Sequence, residues 1–215
     1  MTQAMSYLSA RAAIILDTLP QVERMATDYL DPARQSTLLE YVLDSVWTVA
    51  DQIYVVFRRE PDLKLVEAIS AFGVKVIIHR ENSSVVSAVA SGLRATKTEH
   101  CFIVSGNVPF MKPNVVHALF EAARNYDAAI PRWPSGKIEP LTSVYSRKAF
   151  LKVATRSTSS DNMSALVDNL YAVRYVGIEE ELKPLDPDLY SFMTVEKPED
   201  LQKARAIASV KMKRP

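Results

Sequence analysis

Residues 52–78 read Gln52-Ile-Tyr-Val-Val-Phe-Arg-Arg-Glu-Pro-Asp-Leu-Lys-Leu-Val-Glu-Ala-Ile-Ser-Ala-Phe-Gly-Val-Lys-Val-Ile-Ile78. Of the first six residues all but Gln52 are apolar, and they are rich in β-branched and aromatic side chains, which predicts a strand. Pro61–Phe72 predicts a helix, and Gly73 fits the position just past its end, where a left-handed backbone is needed. Val74–Ile78 is the next strand. The same alternation extends in both directions. Ala12-Ala-Ile-Ile-Leu16 is a short buried strand ending at Asp17. Thr37 with Glu40 forms a capping box ahead of Leu39, Val42, Leu43 and Val46, which recur at helical spacing. Ser84–Ala95 predicts a helix with small residues along one side, Cys101–Ser105 a strand, Lys112–Asn125 a helix opened by Pro113, and Ala128–Pro131 a short strand. Strands alternating with single helices predict an α/β domain, its sheet mostly parallel and covered by helices on both faces.

After residue 131 the pattern changes. Arg132–Ile138 is a polar turn, and Leu141–Tyr145 follows as a strand close enough to make a small antiparallel part. Helices are expected near 147–157 and 162–170, short strands at Val173–Val176 and Phe192–Val195, and a last helix from Pro198 to about Val210. Residues 17–36 read mostly as a long loop, a length that goes with either function or disorder. The organisation expected is an N-terminal extension over 1–11, one domain over 12–210 and a short basic tail over 211–215.

Composition narrows the function classes. With 26 Lys+Arg against 25 Asp+Glu among 215 residues, the net charge of +1 makes no electrostatic case for nucleic acid or a membrane surface. Cys101 alone cannot build a disulfide framework, and His79, His100 and His117 lack metal-ligand spacing. Cys101 is expected to be a buried small hydrophobe. No apolar run approaches a membrane span and no secretory signal is read, so the cytoplasm is the expected compartment. The five glycines, Gly73, Gly92, Gly106, Gly136 and Gly177, are too dispersed for a glycine-rich phosphate cradle. Ser83-Ser84 and Ser157–Ser160 lack a nucleophile motif.

In an open parallel sheet, ligands bind beyond the carboxyl ends of the strands. That directs attention to the segments after the first, third and fourth predicted strands, residues 17–29, 79–87 and 105–111. The last of these is Ser105-Gly-Asn-Val-Pro-Phe-Met111, which reads equally as an ordinary strand-to-helix turn. Arg132, Lys137 and Glu139 cluster around a second turn, where a solvated charged loop is the alternative to contact with an anionic ligand.

Ile14-Ile-Leu16, Arg24-Met25, Asp28, Leu38-Leu-Glu-Tyr-Val-Leu43, Gly106-Asn-Val-Pro-Phe110, Pro131-Arg132, Gly136, Glu139-Pro-Leu141, Tyr145 and Pro198-Glu-Asp-Leu201 stand in the order and approximate spacing of one family. The chain resembles the molybdenum cofactor guanylyltransferases from about residue 12 to 207. The resemblance implies a Rossmann-like three-layer αβα sandwich of the glycosyltransferase-A type. It implies transfer of GMP from GTP to molybdopterin with Mg²⁺ and release of pyrophosphate. Carried over residue by residue, it places Arg24 and Asn107 in catalysis. Leu16, Asp17, Thr18, Arg24, Met25, Asp28, Ser105 and Gly106 would contact nucleotide. Arg132, Glu139 and Pro140 would contact the acceptor, and Asn107 and Glu196 the metal.

The sequence departs from the family at several of these places. Asp17-Thr-Leu-Pro20 stands where the family has loop glycines, and Ala26 where it has another. Tyr29 stands where a phosphate-contacting lysine belongs. Asn107 replaces the metal aspartate before the Pro-Phe turn, and Thr194-Val-Glu196 replaces a segment carrying asparagines. Ser83-Ser-Val-Val-Ser87 replaces a glycine-containing loop on the guanine side, which leaves nucleotide identity open. Asp17 would repel a triphosphate unless a cation lay between them. Two further readings therefore stand beside guanylyl transfer: an inactive relative that binds nucleotide or a protein partner, and an α/β domain with no nucleotide site.

Overall fold

Each strand of the central sheet alternates its side chains between two apolar layers, and this period of two builds the fold. In the computed structural model, which describes residues 10–17, 29–31, 36–79, 84–155 and 162–211, strands β1 (Ala12–Asp17), β4 (Gln52–Phe57), β5 (Lys75–Ile78), β6 (His100–Ser105), β7 (Ala128–Arg132), β8 (Thr142–Ser146) and β9 (Val173–Gly177) form one sheet. Its order is β5-β4-β1-β6-β8-β7-β9. β8 runs antiparallel to both β6 and β7, while the other neighbours are parallel. The antiparallel part expected from the 132–138 turn is therefore one reversed strand set inside a parallel sheet.

On one face Ala13, Ile15, Val55, Phe57, Phe102 and Val104 pack under helices α1 (Leu38–Trp47), α2 (Leu63–Ser70) and α4 (Pro113–Ala123). On the other, Ala12, Ile14, Leu16, Tyr54, Val56, Cys101 and Ile103 pack under α3 (Val85–Ala95), α5 (Arg147–Ala154) and α6 (Met163–Val167). The three-layer α/β expectation holds. Local signals behave as their chemistry requires. Thr37 caps α1 in a complete capping box, with Glu40 Oε2 accepting the Thr37 amide at 2.7 Å. Gly73 adopts φ +62, the left-handed backbone anticipated after α2. Cys101 is fully buried, and burial pushes its thiol up to about 12, so it stays protonated as a small core side chain.

Two sequence expectations are corrected. Within the stretch expected as loop, β2 (Tyr29–Asp31) and β3 (Ser36–Thr37) pair antiparallel with a shift in register. Leu30 is buried there against Leu38, Phe110, Val195 and the helix α7 (Pro198–Lys211), so a tertiary contact orders a segment with no local strand pattern. No strand forms over Phe192–Val195. Leu189 turns left-handed at φ 54, Asp186 Oδ2 accepts the Ser191 amide at 2.7 Å, and Tyr190–Phe192 closes as a 3-10 turn. A single π-helical turn at Ile178–Leu182, a stretch for which the sequence carried no expectation, buries Ile178 and Leu182 straight after β9.

Candidate active site

β1 and β6 are neighbours at the centre of the sheet, with Leu16 in register with Ser105. The Gly106 amide donates to the Leu16 carbonyl at 2.9 Å, extending the pairing one step beyond the strand. Asp17, Ser105 and Asn107 are all buried at this carboxyl edge. Ser105 Oγ and Asn107 Oδ1 are buried and have no hydrogen-bond partner. Buried polar atoms are nearly always paired, so orphans concentrated at a sheet edge mark a place for a ligand.

Two other segments converge here. The Val195 amide donates to the Asn107 carbonyl at 2.9 Å, which brings the Thr194–Glu196 stretch beside the β6 turn. The Ser105 amide donates to the Leu141 carbonyl at 3.2 Å, which brings in Glu139-Pro-Leu141. The latter is held from below: Tyr145 donates its hydroxyl to the Pro140 carbonyl at 2.8 Å, and Ser143 donates to the Glu139 carbonyl at 2.7 Å. Tyr145 is fully buried, and burial pushes its pKa up, so it remains a donor across the working pH range. Tyr145→Phe leaves the Pro140 carbonyl without that donor and lowers stability by about 1–2 kcal/mol. A urea midpoint equal to that of the parent protein would contradict this.

Arg132 lies exposed with its guanidinium 4.7 Å from the centre of the Tyr175 ring. The Glu139 carboxylate accepts from Trp133 Nε1 at 2.7 Å and pairs with Lys137 Nζ at 2.8 Å. Trp133 also stacks edge-on against Phe192, with ring centres 5.8 Å apart, which joins the 131–141 hairpin to the chain entering Met193–Glu196. The sequence reading passed over Trp133. A large aromatic in an otherwise polar turn was the available signal. Of the expected site residues, the structure brings Leu16, Asp17, Ser105, Gly106, Asn107 and Pro140 to one edge, with Glu139 and Glu196 on chain segments that reach it. Thr18, Arg24, Met25 and Asp28 lie outside the described residues. The Tyr29 backbone pairs with Thr37, the cap of α1.

The donors present fit a hard cation better than zinc. They are all oxygens, and among the described residues no three His, Cys, Asp or Glu converge. Asn107 Oδ1, a buried acceptor without a donor, is the atom that most directly suits Mg²⁺.

Residues 27–173 match the MobA-like NTP transferase domain. The chain belongs to that family. It is 30% identical over 174 residues to a protein of Methanosarcina acetivorans named "Probable molybdenum cofactor guanylyltransferase", covering 77% of this chain and 76% of that one. A molybdenum cofactor guanylyltransferase of Desulfosudis oleivorans is 30% identical over 172 residues, covering 79% and 81% of the two chains. The fold is also that of the crystal structure of molybdopterin-guanine dinucleotide biosynthesis protein A from Archaeoglobus fulgidus, with a TM-score of 0.74 at 23% identity over 93% of this chain and 99% of that one. Among the described residues no helix is long and apolar enough to cross a membrane.

Proposed function

We propose that this chain transfers GMP from GTP to molybdopterin, releasing pyrophosphate, at the carboxyl edge of β1 and β6, with weaker nucleotide and metal binding than a site that keeps the family's loop glycines, lysine and aspartate. The observation that carries this reading is the convergence of Asp17, Ser105–Asn107, Glu139–Leu141 and Val195–Glu196 in a member of the MobA-like family. Leu16, Asp17 and Gly106 line the nucleotide floor, and the Ser105 hydroxyl is a buried donor awaiting a ribose or phosphate oxygen. Arg24 would draw phosphate, with Thr18, Met25 and Asp28 completing its loop. Asn107 would hold Mg²⁺, with Glu196 at the rim. When bound, Mg²⁺ neutralises phosphate charge for the in-line displacement. Arg132, exposed over the Tyr175 ring, would attract an anionic acceptor, while Trp133 and Lys137 hold Glu139 in place and Pro140 shapes the wall beside it.

A second reading, a relative that binds nucleotide without transferring it, is favoured by Asn107, by Tyr29 and by the lack of glycine between residues 17 and 36. A thermal-shift comparison of GTP, ATP, CTP and UTP with and without Mg²⁺ tests the binding step. GTP with Mg²⁺ at ~100 times its dissociation constant stabilises by about 2.7 kcal/mol, a rise in Tm of roughly 5–10 °C. If none of the four at millimolar concentration moves Tm, guanylyl transfer is refuted. Pyrophosphate release that needs both GTP and molybdopterin supports transfer, and binding without release selects the second reading.

A further inference from the structure

The site's buried carboxylate is on β1, not on the β6 turn. Asp17 is 2% exposed and Asn107 3% exposed. Alternation along β1 puts Asp17 on the same side as Ala13 and Ile15, the face covered by α1 and α4. Val108, next to Asn107, packs into that same layer. Leu16 pairs with Ser105 and accepts the Gly106 amide, so Asp17 and Asn107 each lie one step past the last bonded groups of adjacent strands. Asn107 Oδ1 is buried with no donor. That orphan oxygen suits a cation, and a cation held there would lie beside the strand end that carries the Asp17 carboxylate, the kind of donor such an ion takes. Glu196 differs: it is exposed, and its own amide donates to Asp200 Oδ2 at 3.2 Å.

We propose that Asp17 supplies the carboxylate of the divalent-cation site, with Asn107 Oδ1 as a neutral second oxygen and Glu196 outside the inner ligands. This rests on the nucleotidyl-transfer reading of the same edge. One carboxylate, one amide oxygen and substrate phosphates form an ordinary donor set for Mg²⁺ or Mn²⁺, which bind with few protein ligands. The arrangement also accounts for an acidic residue at the start of the phosphate loop. With the cation between them, Asp17 and a triphosphate attract the same ion instead of repelling each other.

The test titrates Mn²⁺ by electron paramagnetic resonance into the full chain with GTP present. Asp17→Asn weakens Mn²⁺ binding roughly tenfold or more, and Glu196→Gln weakens it less than that. The exchange variant Asp17→Asn/Asn107→Asp, which moves the charge to the other strand, recovers most of the lost affinity. A second measurement needs no variant: Fe²⁺ with ascorbate and peroxide is expected to cut the wild-type backbone beside residue 17 as well as at 105–107. If Asp17→Asn keeps wild-type Mn²⁺ affinity, or the cuts fall at 107 and 196 without one at 17, Asp17 is not the ligand while the transfer reading stands. If wild-type protein with GTP holds no Mn²⁺, both fail together.

Discussion

Asn107→Asp tightens Mg²⁺-dependent GTP binding by roughly ten- to a hundredfold, an amount equal to about 1.4–2.7 kcal/mol. The change is nearly isosteric, so it opens no cavity at a buried position. It puts a negative charge on an atom that has no hydrogen-bond donor to lose. One unit-charge pair at ~4 Å is worth about 4 kcal/mol at an effective dielectric of 20. Part of that gain is offset because the new charge stands near buried Asp17, and two adjacent carboxylates disfavour each other. The same repulsion lowers the ligand-free Tm, so the variant is less stable without Mg²⁺ and gains more from it. Calorimetric titration of GTP with and without Mg²⁺ measures both. Affinity that stays level or falls would remove Asn107 from the neighbourhood of the metal.

The second large effect is one of packing. Gly92 lies in the middle of α3, and a Cβ built there would stand 2.5 Å from Ile14 Cγ2 and 3.1 Å from Ile14 Cδ1. Ile14 is fully buried on β1 and cannot swing away. Replacing glycine by alanine in a helix gains about 1 kcal/mol in propensity, while overpacking a core costs about 1–3 kcal/mol. The clash wins. Gly92→Val adds two more methyl groups, gains less propensity because valine is β-branched, and destabilises by about 3 kcal/mol, a fall in Tm of roughly 6–12 °C. Ile14→Ala alone costs about 2–5 kcal/mol through the cavity it leaves. The double variant should lose less than the sum, because the valine fills that cavity. Strict additivity in urea unfolding would show that the two residues do not share the space.

The α3–β1 approach illustrates how much was legible. A side of small residues on a predicted helix was visible in the sequence, but the strand it approaches was not. The capping box at Thr37 and the turn at Gly73 were readable because both are contacts between residues a few positions apart. β2 and β3 were not, since Leu30 is ordered by α7, far along the chain. The Phe192–Val195 run has strand-like residues, yet Asp186 and left-handed Leu189 turn the chain before a ladder can form. Val195 keeps one ladder-like bond, to Asn107, and that bond is what carries Glu196 to the site's rim.

Period two and period 3.6 are local properties, so the sequence by itself determined the strands of the main sheet, most of the helices, the two-faced layering and the turn at Ser105–Met111 as a candidate site. Resemblance added the departures at Asp17 and Asn107. Which strands lie side by side depends on contacts between residues distant in the chain, and only the tertiary structure decided that. It set β1 against β6 and reversed β8 beside it, and it drew Glu139–Leu141 and Val195 to the same edge. In the sequence Asp17 and Asn107 are separate substitutions, one adding a charge and one removing it. In the folded chain they stand on adjacent strand ends, at one edge of the sheet.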